Sequence, residues 1–130
     1  MSAALVPELY VSDLGRSLVF YRALGFDVAY DRPSERFACI KREGAELMLE
    51  EPIGRVWLSG PLKYPHGVGV NFQITVSDAA ALHEACSATG VPFLCDLEEK
   101  TYMRDEHPIR VRQFVVQDPD GYLIRFSQPL

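Results

Sequence analysis

The chain writes one pattern of hydrophobic and polar positions twice. In the first copy Leu5, Pro7, Leu9 and Val11 alternate with Val6, Glu8 and Tyr10, the period of a strand with two different faces. The period then changes. Leu14, Leu18, Tyr21 and Leu24 recur at helical spacing, Asp13 offers a carboxylate to the free N–H groups of a helix start, and Gly25 accepts the left-handed conformation that stops one. In the second copy Phe72, Ile74 and Val76 alternate with Asn71, Gln73 and Thr75. Asp78 then caps a helix using Leu82, Ala85 and Cys86, and Gly90 ends it. Val11-Ser12-Asp13 recurs as Val76-Ser77-Asp78, an offset of 65 residues that also carries Leu9 onto Ile74 and Gly25 onto Gly90.

This spacing predicts helices over 13–24 and 78–89, each preceded by one strand and followed by three. The following strands are expected at 27–30, 36–41 and 46–51, and again at 92–96, 110–117 and 122–127, with breaks at Pro33 and at Glu43-Gly44. Between the last two, Asp118-Pro119-Asp120-Gly121 is a tight turn: proline sets one dihedral and glycine accepts a positive φ. The rest of a calcium-loop ligand series is missing there. The predicted fold is α+β, one domain over 1–130 made of two βαβββ modules, module one at 1–51 and module two at 69–130. The apolar positions Leu9, Val11, Leu47, Leu49, Ile74, Val76, Ile124 and Phe126 should pack against the helices. A linker at 52–68 carries Trp57 and Tyr64, and loops of that length often wall or cover a site. Its glycines follow no phosphate-binding pattern.

Composition narrows the partners. The 130 residues, 48% hydrophobic and 24% charged, suit one globular core. No apolar run approaches the roughly 20 residues of a membrane helix, so no membrane partner is expected. A net charge of −5 without a Lys/Arg cluster argues against nucleic acid. The stretch from Met1 to Val6 lacks the pattern of a signal peptide. Cys39, Cys86 and Cys95 are odd in number and lack CxxC spacing, which points to free thiols in a reducing cytoplasm.

The run Asp13-Leu14-x-Arg16-Ser17-x-x-Phe20-Tyr21-x-x-Leu24-Gly25-Phe26 closely resembles the first helix of the vicinal oxygen chelate superfamily, which contains glyoxalases, bleomycin-resistance proteins and dioxygenases. Phe114-x-x-x-Asp118-Pro119-Asp120-Gly121-Tyr122 resembles that superfamily's closing hairpin, and Arg42-Glu43-Gly44-x-Glu46-Leu47-Met48-Leu49-Glu50 resembles the fourth strand of bleomycin-resistance members. The resemblance spans nearly the whole chain. It implies two βαβββ modules forming a curved mixed sheet around a cavity, usually completed across a homodimer. It does not settle function, because the same fold hosts isomerases, dioxygenases, thiol transferases and drug-binding proteins.

Metal-dependent members place one ligand in the first and one in the fourth strand of each module, and the resemblance puts those positions at Val6, Glu50, Asn71 and Arg125. Valine has no donor atom, and arginine stays protonated and repels a cation. Asparagine is a weak neutral ligand, leaving Glu50 as the one strong one. The metal set looks dismantled, and His66, His83 and His107 fall in a linker, a helix and a loop. The expectation is a cytoplasmic, metal-free and cofactor-free protein that holds a small molecule, as bleomycin-resistance proteins do in antibiotic resistance. Strand alternation turns Glu8, Tyr10, Glu46, Met48 and Glu50 inward from module one, and Asn71, Gln73, Arg112 and Arg125 from module two. Where drug-binding relatives carry a Trp-Gly pair, Arg110-Val111 stands here, so Trp57, Tyr64 and Tyr102 are the candidate stacking platforms. Brought together from one chain or from two, Glu50 and Arg125 are expected to interact directly, or through one water or ligand. Also left open are a glyoxalase-like lyase, isomerase or dioxygenase, with Glu50 as base and Arg125 as the electrostatic substitute for a metal, and a purely structural or protein-interaction module.

Overall fold

The structure, a computed structural model, describes residues 3–130. Met1 and Ser2, which begin the stretch read for a targeting signal, lie outside the described residues. Module one runs β1 (Glu8–Tyr10), α1 (Leu14–Ala23), β2 (Asp27–Arg32), a single 3-10 turn (Pro33–Glu35), β3 (Phe37–Arg42) and β4 (Ala45–Glu50). Module two runs β5 (Asn71–Thr75), α2 (Ala79–Thr89), β6 (Phe93–Arg104), β7 (His107–Gln117) and β8 (Leu123–Pro129). Each module folds its strands into one mixed four-stranded sheet, in the orders β1-β4-β3-β2 and β5-β8-β7-β6. The first strand of each pairs in parallel with the last, and the remaining pairs are antiparallel. This is the predicted α+β architecture of two βαβββ modules.

The helix ends follow from the cap residues. Asp13 accepts from the N–H of Arg16 at 3.1 Å, and Asp78 accepts from that of Ala81 at 3.0 Å. Gly25 at φ +89° and Gly90 at φ +76° carry the chain out in the left-handed region, where a side chain would be strained. The eight predicted core positions are all buried, none more than 6% exposed. They join Tyr21, Leu24, Leu82 and Cys86 of the helical segments in one core drawn from both modules. The three cysteines are free, with Cys39 and Cys86 buried and Cys95 half-buried.

The last module departs from expectation in one respect. Strands β6 and β7 form a long hairpin through Arg104 and His107, so residues expected in a loop at 97–109, His107 and Tyr102 among them, are mostly strand. Register shifts between Phe93 and Cys95 and between Cys95 and Glu98 interrupt the alternation that would have revealed the strand. Beyond the bulge the exposed face is held by charge: Glu99 accepts from Arg112 at 2.8 Å and from Arg110 at 3.2 Å. Asp105, at φ +54°, turns the hairpin.

The two modules are tied together at the Asp118–Gly121 turn. Asp118 Oδ1 accepts from the N–H groups of Asp120 at 2.9 Å and Tyr122 at 2.8 Å, which shapes the turn. Its Oδ2 accepts from the Tyr21 hydroxyl of α1 at 2.8 Å. Asp120 accepts from the Ser12 hydroxyl at 2.7 Å, and the Tyr122 hydroxyl donates to the Tyr10 carbonyl at 3.0 Å. The linker closes over the same point: His66 N–H donates to the Asp120 carbonyl at 2.9 Å, and Gly67 lies so close that a Cβ there would meet Tyr122 Cα at 2.8 Å. Hydrogen bonds to a charged group typically contribute about 1.5–3 kcal/mol. Tyr21→Phe should therefore lower stability by about 1.5–3 kcal/mol in urea unfolding with an unchanged denaturant slope. A loss below about 0.5 kcal/mol would show that the buried bond adds no net stability.

Candidate functional site

Cross-strand partners in a ladder share a face, so register decides which side chains turn away from the helices. In module one β1 and β4 pair Glu8 with Met48 and Tyr10 with Glu50, and β3 adds Cys39 beside Met48 and Phe37 beside Glu50. In module two β5 and β8 pair Gln73 with Arg125 and Thr75 with Ser127, while β7 adds Val115 beside Arg125 and Gln113 beside Ser127. These are the two faces opposite the core.

The module-one face is acidic and aromatic. Burial pushes the Glu50 carboxyl above the usual range, and repulsion from Glu8 and Glu35 adds to it, against a lowering by Arg32. Arg32 is itself engaged, 2.7 Å from Glu35 and 3.8 Å above the Phe37 ring. Tyr10 is buried, and its hydroxyl accepts from the Trp57 N–H at 2.8 Å. Trp57 thus anchors the linker through its backbone while its indole is 71% exposed, with the Arg55 guanidinium 4.2 Å from the ring centre. Glu46 accepts from the Cys39 thiol at 3.3 Å and from the Ala3 N–H at 2.7 Å, which pins the N-terminal segment across the sheet. Burial first, then Glu46, holds the Cys39 thiol above its ordinary pKa.

The module-two face is a groove of about 300 Å³. Gln73, Arg125, Ser127 and Val111 form its floor, and Tyr102 and Ile109 of the long hairpin contribute to its wall. The Nε of Arg125 is buried and has no hydrogen-bond partner among the described residues. Gln113 donates to Glu98 at 2.8 Å and to the Tyr102 hydroxyl at 2.7 Å, fixing both side chains of β6. Asn71 lies apart from this groove, lining a second cavity of about 360 Å³ with Val68, Val70, Leu94 and Leu123.

The structure thus gathers Gln73, Arg125 and Tyr102 in one groove, and Glu8, Met48 and Glu50 on the other face. Two expectations are corrected. Arg112 does not face inward: it pairs in register with Gln128 and donates to Glu99, on the opposite side of β7 from Val111 and Gln113. No ion pair joins Glu50 and Arg125 within the chain either. Glu50 is the last residue of β4, opposite Tyr10, whereas Arg125 sits mid-strand on β8 opposite Gln73. Gln73 corresponds to Glu8 through the 65-residue repeat, so the register counterpart of Arg125 is Met48, and that of Glu50 is Ser127. The charges that act on Glu50 are Glu8, Glu35 and Arg32. Met103 and Arg104 of the wall were missed because the β6 bulge shifts the alternation that would have placed them, and Ile109 because β7 starts at His107, ahead of the expected strand at 110–117.

The superfamily's metal does not fit these residues. A cation would face the guanidinium of Arg125 and the donorless side chain of Val6, with Glu50 displaced along its strand. Among the described residues no three His, Cys, Asp or Glu side chains converge to offer another donor set.

Comparison with known proteins bears on the whole chain. Residues 4–126 match the family model of the Glyoxalase/Bleomycin resistance protein/Dioxygenase superfamily. A search of curated proteins finds no match. Among solved structures, TioX from Micromonospora sp. ML1 is 23% identical, with 99% of this chain and 100% of that chain covered and a TM-score of 0.72. A virulence protein from Salmonella typhimurium is 18% identical, with 100% and 98% covered and a TM-score of 0.73. A glyoxalase/bleomycin resistance protein/dioxygenase from Alicyclobacillus acidocaldarius is 20% identical, with 98% and 92% covered and a TM-score of 0.69. At these identities the structures support the fold alone, and the family model carries the assignment: the chain belongs to the glyoxalase/bleomycin resistance protein/dioxygenase superfamily.

Proposed function

We propose that this chain is a metal-free small-molecule-binding protein of the glyoxalase and bleomycin-resistance type, sequestering a drug or metabolite on the faces opposite its core. One observation carries the reading: Arg125 stands where the resemblance calls for a metal ligand, and its buried Nε lacks an acceptor beside a groove of small-molecule size. Gln73 and Tyr102 supply further polar contacts, and Met48, Glu8 and Glu50 furnish the other face. Arg112 is left out, because Glu99 holds it on the opposite side. Trp57 is a linker anchor in this reading, and Asn71 belongs to the neighbouring cavity.

A second reading, a glyoxalase-like lyase, isomerase or dioxygenase, is favoured by the raised proton affinity of Glu50, which suits a general base. It lacks a partner for the developing negative charge, since Arg125 is not beside Glu50. A panel of small molecules titrated into the protein should give saturable binding without turnover in glyoxalase and dioxygenase assays. Turnover that Glu50→Gln abolishes would replace binding with catalysis. Protein purified without chelator should carry only substoichiometric zinc, nickel, manganese or iron by elemental analysis. One equivalent of metal removed by Glu50→Ala would sink the metal-free reading.

Location in the cytoplasm is supported by the free thiols. A homodimer is supported by open sheet edges at β2 and β6, and by one acidic and one basic face on the same chain. Sedimentation at micromolar concentration should give twice the 14.6 kDa chain mass, and a monomer would refute the pairing.

A further inference from the structure

The module-two groove holds two cations without an anion. Arg125 lies on its floor, and Arg104 lines it from near the tip of the hairpin. Neither forms an ion pair among the described residues, whereas Arg110 and Arg112 are both held by Glu99 on the far side of the sheet. Glu98 shares the groove-side register of β6, but it is not part of the groove lining and accepts from Gln113. A buried guanidinium N–H without an acceptor is costly, and Arg125 Nε is such a group.

The neighbours are set as donors too. The Tyr102 hydroxyl already accepts from Gln113 at 2.7 Å, so its own proton is left to give. The Ser127 hydroxyl and the Gln73 amide sit beside Arg125 on the floor. Val111, Ile109 and Met103 make the rest of the surface apolar. A planar carboxylate matches the fork of a guanidinium through two parallel N–H bonds, and an apolar body attached to it matches the remaining wall. The cavity of about 300 Å³ admits a compact molecule of that kind.

We propose that the groove between β5, β8 and the β6–β7 hairpin binds a small monocarboxylate with an apolar body, its carboxylate on Arg125 and its body against Val111, Ile109 and Met103. This deepens the small-molecule reading above and rests on it. Arg104 draws the anion to the open end, and Tyr102 donates to the carboxylate oxygen.

Benzoate, benzamide and benzylamine share one ring and differ in charge, so they separate the anion assignment from binding in general. Titrated into the full-length ¹⁵N-labelled protein, benzoate should shift the amide signals of Gln73, Arg125 and Ser127 saturably. Benzamide should bind about tenfold more weakly or worse, and benzylamine should leave those signals unmoved. Arg125→Gln should weaken benzoate by about tenfold or more and leave benzamide unchanged, with Arg125→Lys in between because it keeps the charge without the fork. If Arg125→Gln fails to fold, Arg104→Gln at the exposed tip should still weaken benzoate severalfold. Benzamide or benzylamine binding in the groove as tightly as benzoate would overturn the carboxylate assignment while leaving small-molecule binding intact. So would wild-type benzoate affinity in the folded Arg125→Gln or Arg104→Gln variant. Groove signals that no probe moves would overturn both readings.

Discussion

Asp118 is a carboxylate with 3% of its surface exposed, and the joint between the modules is built on its hydrogen bonds. Burial raises its proton affinity, while the Tyr122 N–H, the Tyr21 hydroxyl and the Asp120 N–H all pull the other way. Each of those donors fixes a different part of the chain: two set the geometry of the β7–β8 turn, and the third fastens α1 onto it. Tyr21 in turn is held protonated, since burial and the neighbouring carboxylate push its pKa well above the ordinary value. The linker conforms to the joint. Gly121, at φ +90°, brings its α-carbon so near Pro65 that a Cβ would meet the ring at 2.5 Å.

With the joint made on the helix side, the opposite faces are free to diverge. The repeat preserves the backbone and the core: Leu9 and Ile74 are both buried, as are Val11 and Val76. It does not preserve the outer faces. Where module one sets Glu8 beside Met48, module two sets Gln73 beside Arg125, and where module one has Tyr10 beside Glu50, module two has Thr75 beside Ser127. A packed interior punishes a change of volume or polarity, whereas a face open to solvent tolerates a change of charge. The same two-residue period therefore yields a shared core and two chemically opposite surfaces.

This asymmetry explains what the sequence disclosed. Local signals placed the helices, because Asp13, Asp78, Gly25 and Gly90 act on backbone groups within a few residues. The core positions followed from alternation that neither β4 nor β8 interrupts. The candidate site was legible only in part, since it depends on register between strands far apart in sequence. Glu50 and Arg125 both read as central on the last strand of their module, and one ladder offset of two residues makes them different positions. Arg112 was turned to the wrong face because a one-residue change of phase reverses a strand. Tyr102 was assigned to a loop because the bulge between Cys95 and Glu98 hides the longest strand in the chain.

The two faces also differ in how they answer acidity. Glu50 takes up its proton at higher pH than an ordinary carboxyl, first because it is partly desolvated and then because Glu8 and Glu35 repel its charge. A folded-state pKa raised in this way makes a contribution to stability that is full below the unfolded value and is lost as pH rises through the folded one. Falling pH therefore removes negative charge from the module-one face and relieves its repulsion. The module-two groove is lined by Arg125 and Arg104 and by no carboxylate. Mild acid thus lessens the negative charge of the module-one face, while the module-two groove has no lining carboxylate whose charge could be lost.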